Sequence, residues 1–254
     1  MVHRVAVLLR LVGDSRERGA EFGELVAASG LTKPTAHRLL SSLAAEGLLD
    51  HDTETGRWHL GPEQYILGSF AASRFPIERL AHSSVQRLAA ATGESAFLSM
   101  RRGDETVCLV REEGSFPIRS FVLGVGSRFP LGVGSAGLAI LTHLDPPERE
   151  AILNELDLTD EKWGARQSIP LIRESISDAQ RRGYVVNPGR IVEGSWGMAA
   201  AIFDKENRPM WALSLTGIEA RFSGERQREL GRLLLLEAHR VTTKLRGEAL
   251  PGRG

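Results

Sequence analysis

Two groups of residues in this chain have types and spacings suited to chemistry. The first is the run Thr32, Lys33, Pro34, Thr35, Ala36, His37, Arg38, Leu39, Leu40, Ser41, Ser42, in which cationic and hydroxyl groups recur on a helical repeat. If Ala36, Leu39, Leu40 and Leu43 form the buried stripe, a turn of about 100° per residue sends Pro34, Arg38, Ser41, Ser42 and Ala45 outward. Lys33 and His37 then lie on one flank and Thr35 on the other. Lysine and arginine there reach phosphates or guanine edges, and threonine and serine donate to either, which is the chemistry of a nucleic-acid groove. A solvated helix of an ordinary packing unit is the competing reading. The second group, Gly132-Val-Gly134-Ser-Ala-Gly137, matches G-x-G-x-x-G. A dinucleotide site would need a buried parallel strand before it and a βαβ alternation after it, and Arg128-Phe-Pro130-Leu stands there instead. Two readings stay open: open amides at a helix start holding a small anion, and a plain tight turn into a packed helix.

The elements around the first group are those that present a helix to a duplex. Phe22, Leu25 and Val26 recur at helical spacing in a preceding helix, and Gly30 sits where that helix needs a left-handed stop. Thr32 is a good N-cap and Pro34 is tolerated in the first turn. After Leu48-Leu49, a polar stretch around Thr53–Gly56 leads to Arg57, Trp58, His59 and Leu60, predicted as a hairpin. Trp58 and Leu60 are expected to face inward, and Arg57 and His59 to project near a phosphate backbone. Arg57 as an incidental surface arginine remains an alternative. Helix, turn, helix and hairpin make a winged helix-turn-helix, whose second helix enters a major groove.

Composition limits how such a module would bind. Among 254 residues, 42% are apolar, and 32 basic residues balance 32 acidic ones, enough for one large or two ordinary domains. Acidic side chains slightly outnumber basic ones over residues 1–75, so affinity must come from placement, and a dimer that doubles the contacts is the natural remedy. The single cysteine, Cys108, lies in an apolar run, reads as an inert core thiol and suits a reducing cytoplasm. No apolar run approaches the roughly 20 residues of a membrane span, and Val5–Leu9 is too short for a signal peptide. The seven histidines are scattered without metal-ligand spacing, no serine sits in a G-x-S-x-G elbow, and no catalytic residue, metal or cofactor is implied.

Three regions are expected: a winged module over residues 1–61, a linker helix over 62–75 with Tyr65, Ile66 and Phe70 available for packing, and a domain over 76–254. In the last, a helix opens at Pro76 with the stripe Leu80, Val85, Leu88 and Ala89. Strands are predicted at 95–100, 106–111, 118–122, 184–186, 198–203 and 211–216. Helices are predicted at 135–143, 147–156, 169–182 and 222–249, with a frayed Pro251-Gly-Arg-Gly end. Strands that pair mainly with sequence neighbours argue an α+β domain around an antiparallel sheet.

These segments together resemble the IclR family of bacterial transcriptional regulators over essentially the whole chain. The match runs through Leu25-Val26 to Leu43, Glu46-Gly-Leu-Leu49, Gly56-Arg-Trp58, Gly183-Tyr-Val-Val, Gly197-Met-Ala-Ala, Phe203-Asp and Leu213-Ser-Leu-Thr-Gly217. The resemblance implies a winged helix-turn-helix joined by a helix to a GAF-like α+β effector domain. It implies dimers, or dimers of dimers, on partly palindromic operators, modulated by small organic acids or aromatic catabolites. The helix face and wing read above give Thr32, Lys33, Thr35, His37, Arg38, Ser41, Ser42 and Arg57 as the expected DNA contacts; the resemblance places an effector pocket at Ser135, Ala136, Asn187, Gly197, Ser214 and Thr216, with Trp196 and Arg190 close by. Gly132 and Val133 replace a frequent His-Cys or His-Ala pair, Leu138 a frequent lysine, and Gly189-Arg190 occupies a stretch often rich in acids. The expected ligand therefore has an apolar or aromatic body and one acidic group. The chain also lacks several residues usual before the first helix, and an upstream start is expected. A metabolite-binding protein or enzyme that uses the winged module for dimerisation is the rival reading.

Overall fold

The computed structural model describes residues 1–72, 76–120, 122–159, 163 and 166–247. The chain divides into two compact units, Met1–Pro76 and the residues from Ile77 onward.

The first unit contains helices α1 (Val2–Asp14), α2 (Phe22–Ser29), α3 (Lys33–Ala45) and α4 (Pro62–Ala72), and strands β1 (Ala20–Glu21), β2 (Leu49–Asp52) and β3 (Arg57–Leu60). The strands form an antiparallel sheet in the order β1-β3-β2. Its core is Leu8, Val12, Ala20, Leu25, Leu40, Leu43, Leu49 and Trp58. A capping box between Glu21 and Glu24 starts α2. Gly30, at φ +65°, stops it in the left-handed region that costs other residues a Cβ clash. Thr32 then occupies the N-cap of α3, with Pro34 in the first turn. The hairpin turn is held by Asp52, which accepts from the amides of Glu54 and Thr55 and from the Thr55 hydroxyl. Trp58 is buried, whereas Leu60, expected inward, is 47% exposed. The two-residue β1 covers β3 only at Arg57 and Trp58, so Leu60 has no strand partner on that side.

The second unit is built on a six-stranded antiparallel sheet. Its strands are β4 (Ser95–Arg102), β5 (Glu105–Glu112), β6 (Arg128–Pro130), β7 (Val185–Pro188), β8 (Ser195–Phe203) and β9 (Pro209–Ile218). The order β6-β5-β4-β9-β8-β7 places two hairpins side by side, joined by the central β4–β9 pairing. Helices α5 (Ile77–Thr92) and α9 (Gly224–Arg246) cover one face, where Val85, Leu88, Leu213, Leu215, Leu230 and Leu234 share a core. Helices α6 (Ser135–Thr142), α7 (Pro146–Glu155) and α8 (Ile169–Arg182) cover the other, with Leu138, Leu141, Ile172, Ala199 and Ala212. On α5 the stripe is carried by Ile77, Ala81, Val85 and Leu88, and Leu80 is only partly buried.

The expected strand at 118–122 is not found: Ile118 and Ser120 are irregular, and Phe121 lies outside the described residues. Side-chain bonds hold this segment as a loop. Arg221 donates to the Ile118 carbonyl, Arg119 donates to the Gly114 carbonyl, and the Ser120 and Ser195 hydroxyls share a hydrogen bond of 2.6 Å. The strand that extends the hairpin is β6 instead. Residues 248–254, the expected helix end and frayed tail, lie outside the described residues.

Candidate nucleic-acid interface and ligand cavity

The buried stripe of α3 is Ala36, Leu40 and Leu43, and its outer face is Pro34, Arg38, Ser41, Ser42 and Ala45. Thr32, Lys33 and His37 are also exposed, and Thr35 is half-buried. The Thr32 hydroxyl donates to the Thr35 hydroxyl at 3.0 Å, and Ser42 Oγ donates to the Arg38 carbonyl at 2.8 Å. His37 meets Phe22 edge-on at 6.0 Å. Neither Lys33 nor Arg38 is ion-paired to a carboxylate among the described residues. The face thus carries two uncompensated cations, short hydroxyls and a helix start, which fits phosphate and base-edge contacts.

The wing departs from expectation. Arg57 does not project. Its guanidinium turns back into the unit, pairs with Glu21 at 2.5 Å and donates to the carbonyls of Gly19 at 3.1 Å and Arg18 at 3.4 Å. It is a clasp between β3 and the turn before α2. His59 is half-buried beside Gly19, where a Cβ on that glycine would come within 2.5 Å of the imidazole. His51 stacks on Trp58 at 4.2 Å. Among the described residues no group of three His, Cys, Asp or Glu side chains could hold a metal ion.

In the second unit the sheet face under α6 carries a continuous rung across four strands. Ser95 pairs with Thr216, Thr216 with Gly197 and Gly197 with Asn187. Above it a cavity encloses about 510 Å³ of atom-free space, its mouth included. Ser135, Ala136, Asn187, Trp196, Gly197 and Thr216 all line it. Gly197 lets α6 approach, since a Cβ there would lie 2.9 Å from Ser135 Oγ. The Asn187 and Gln167 amides both donate to the Val133 carbonyl, at 2.8 and 2.9 Å. Asn187 Oδ1 and Thr216 Oγ1 are buried with no hydrogen-bond partner among the described residues. Such orphaned groups cost on the order of 1–3 kcal/mol each, and a ligand that bonds to them recovers that cost.

Ser214 is not on the cavity wall. It lies one rung deeper between Phe97 and Ala199, fully buried, its hydroxyl also without a partner. Sequence reasoning missed Ser99, Thr106, Val122, Leu123, Phe129, Ile191 and Ser195, which line it as well, as does Gly134. Strand alternation in β4 and β5 gave a faint signal for Ser99 and Thr106; the loop residues gave none. Arg190 lines the cavity too, donating Nη1 to the Leu171 carbonyl at 3.0 Å and to Ser175 Oγ at 2.8 Å. Burial pushes its pKa below the usual guanidinium value.

The glycine segment lacks the setting of a dinucleotide site, and Gly132 and Gly137 pack tightly. It follows β6, an antiparallel edge strand. Gly132 is at φ +99°, and a Cβ on Gly137 would press on the backbone of Leu131 and Gly132 at 3.3 Å. Cys108 is buried in β5. Among the described residues no helix is long and apolar enough to cross a membrane.

Comparison with known proteins agrees with this arrangement. The model of the C-terminal domain of IclR bacterial transcriptional regulators matches residues 69–243, and that of the IclR helix-turn-helix domain matches residues 2–53. The HTH-type transcriptional regulator KipR of Bacillus subtilis is 29% identical over 203 residues, which cover 80% of each chain. Among solved structures, an IclR transcriptional regulator from Alicyclobacillus acidocaldarius superposes with a TM-score of 0.80 at 23% identity, covering 96% of this chain and 98% of that one. An IclR homolog from Microbacterium hydrocarbonoxydans, complexed with 4-hydroxybenzoate, gives a TM-score of 0.79 at 24% identity, covering 97% and 99%.

Proposed function

The chain belongs to the IclR family of bacterial transcriptional regulators, and from that premise we propose that it binds a partly palindromic operator as a dimer or dimer of dimers, modulated by a small organic acid. The observation that carries the DNA half is the outer face of α3, where Lys33 and Arg38 are exposed without carboxylate partners among the described residues. Thr32, Thr35, His37, Ser41 and Ser42 supply the remaining groove and phosphate contacts. A winged unit without surplus positive charge binds weakly alone, so paired half-sites supply the affinity. No cofactor or catalytic step is invoked, and the cytoplasm, where operator DNA lies, is the proposed compartment.

The ligand half is supported by the cavity of the second unit. Its walls of Val122, Leu123, Phe129, Ala136, Ile191 and Trp196 suit an apolar or aromatic body, and Asn187 and Thr216 offer unsatisfied polar atoms. The fold relative from Microbacterium hydrocarbonoxydans holds an aromatic body with one carboxylate, a ligand of the kind these walls fit. The test has two steps. Footprinting on DNA upstream of neighbouring genes is expected to show a protected site with two related half-sites, lost as salt rises. Titration with aromatic, aliphatic and sugar acids is then expected to alter protection with an aromatic or aliphatic acid. Salt-insensitive binding without a defined site defeats the DNA assignment; a response confined to polar sugar acids defeats the ligand class.

A further inference from the structure

An acid entering an apolar cavity needs a place for its charge, because an unpaired carboxylate out of water is expensive. The rung offers only neutral groups, the Thr216 hydroxyl among them, and no positive charge. Asn187 donates one amide N–H to Val133 and leaves Oδ1 buried without a partner among the described residues; that oxygen repels a carboxylate and asks for a donor instead. Ser135, at the start of α6, is pressed against Gly197. Arg190 differs from both. It lines the cavity, is partly removed from water, and closes no direct ion pair among the described residues, the Glu174 carboxylate acting on it only at longer range. Its hydrogen bonds to Leu171 and Ser175 use Nη1 alone, so other N–H groups of the planar fork remain for a second planar anion.

We propose that Arg190 is the specificity-determining cation of the cavity, pairing with the ligand's carboxylate while Asn187 Oδ1 accepts from a hydroxyl or amine elsewhere on the ligand. This deepens the acid-effector reading and rests on it. It makes the cavity selective for monoanionic acids over neutral molecules of the same shape.

The test is calorimetry on the full chain with benzoate, 4-methylbenzoate and hexanoate, each beside its primary amide. The wild type is expected to prefer the acid of its tightest pair at least about tenfold. Arg190→Gln is expected to lose roughly ten- to a hundredfold in acid affinity, the range of a hydrogen bond to a charged group, with little change for the amide. Arg190→Lys, which keeps the charge without the fork, is expected to restore part of the preference. Glutamine retains a donor for the Leu171 carbonyl, and amide binding by that variant reports whether the cavity is intact. Undiminished acid affinity in Arg190→Gln overturns the assignment and leaves the acid-effector reading standing. Wild-type protein that binds the amides but none of the acids, or no acid at all, removes both. Equal loss of acid and amide affinity assigns Arg190 to loop structure and overturns its role as counter-ion.

Discussion

The outer face of α3 and the rung beneath α6 are both lists of small polar side chains, but they stand in opposite solvents. Ser41 and Arg38 face water, where an unused donor is already satisfied and waiting for a partner costs nothing. Asn187 and Thr216 are buried, 4% and 8% exposed, and their unpartnered oxygens are a standing cost to the fold. A surface polar group is therefore weak evidence of function until its neighbours are counted, whereas an orphaned buried one points to a missing partner. On α3 the signal lies in pairing: Arg18 takes Glu24 and Arg57 takes Glu21, while Arg38 pairs with no carboxylate among the described residues.

The largest effect expected is on the scaffold of the exposed site. Leu40→Ala empties a fully buried position of the first core and should destabilise that unit by about 2–5 kcal/mol. Thermal unfolding followed beside operator binding should show both lost together; a stable variant that cannot bind DNA would mean the stripe touches the duplex. Next is Arg38→Ala, expected to weaken operator binding by about 1–3 kcal/mol and to lower the salt slope by about 1 where the contact is a phosphate. Its melting temperature should not move, since its side chain closes no ion pair. Unchanged affinity in a gel-shift titration would make α3 an ordinary solvated helix.

Thr216→Val probes the opposite solvent. Exchanging an orphaned hydroxyl for a methyl of similar size should raise stability without ligand by about 1 kcal/mol, at the expense of ligand affinity. A lower melting temperature would show that the hydroxyl is bonded in the ligand-free protein and would cancel the contrast with α3. Ser214→Ala should stabilise similarly without changing ligand affinity, because Ser214 lies off the wall.

How much of this was legible beforehand follows from the same division. The face of α3 could be read because one local repeat decides which side is buried. The cavity could be read only in part. Strand alternation places Ser214 and Thr216 on one face, but α6 determines which of them meets the cavity, and that cover comes from a distant segment. Ser99 and Thr106 reach the wall through the β4–β9 and β5–β6 pairings, which join residues far apart in sequence. The false strand at 118–122 had a suitable alternation, yet side-chain bonds to Arg221 and Ser195 outweighed it. Gly189-Arg190 showed a departure from the family's acids, but not that Arg190 would close no ion pair among the described residues.

Arg57 gives the smallest and most discriminating effect. As a projecting wing arginine it would behave like Arg38, losing DNA affinity and leaving stability alone. As the clasp seen here it holds β3 to the turn before α2 through Glu21 and the Gly19 carbonyl. The ion pair is partly exposed and screened by solvent, so Arg57→Ala should cost only about 0.2–1 kcal/mol of stability. Operator affinity should fall less than in Arg38→Ala, and Glu21→Gln should reproduce the stability loss. The two substitutions together should cost less than the sum of the separate losses, since each alone already breaks the pair. A gel shift in which Arg57→Ala matches Arg38→Ala, with a melting temperature equal to wild type, would mean that DNA draws the guanidinium away from Glu21. The wing would then be a contact surface whose arginine is held back only while the duplex is absent.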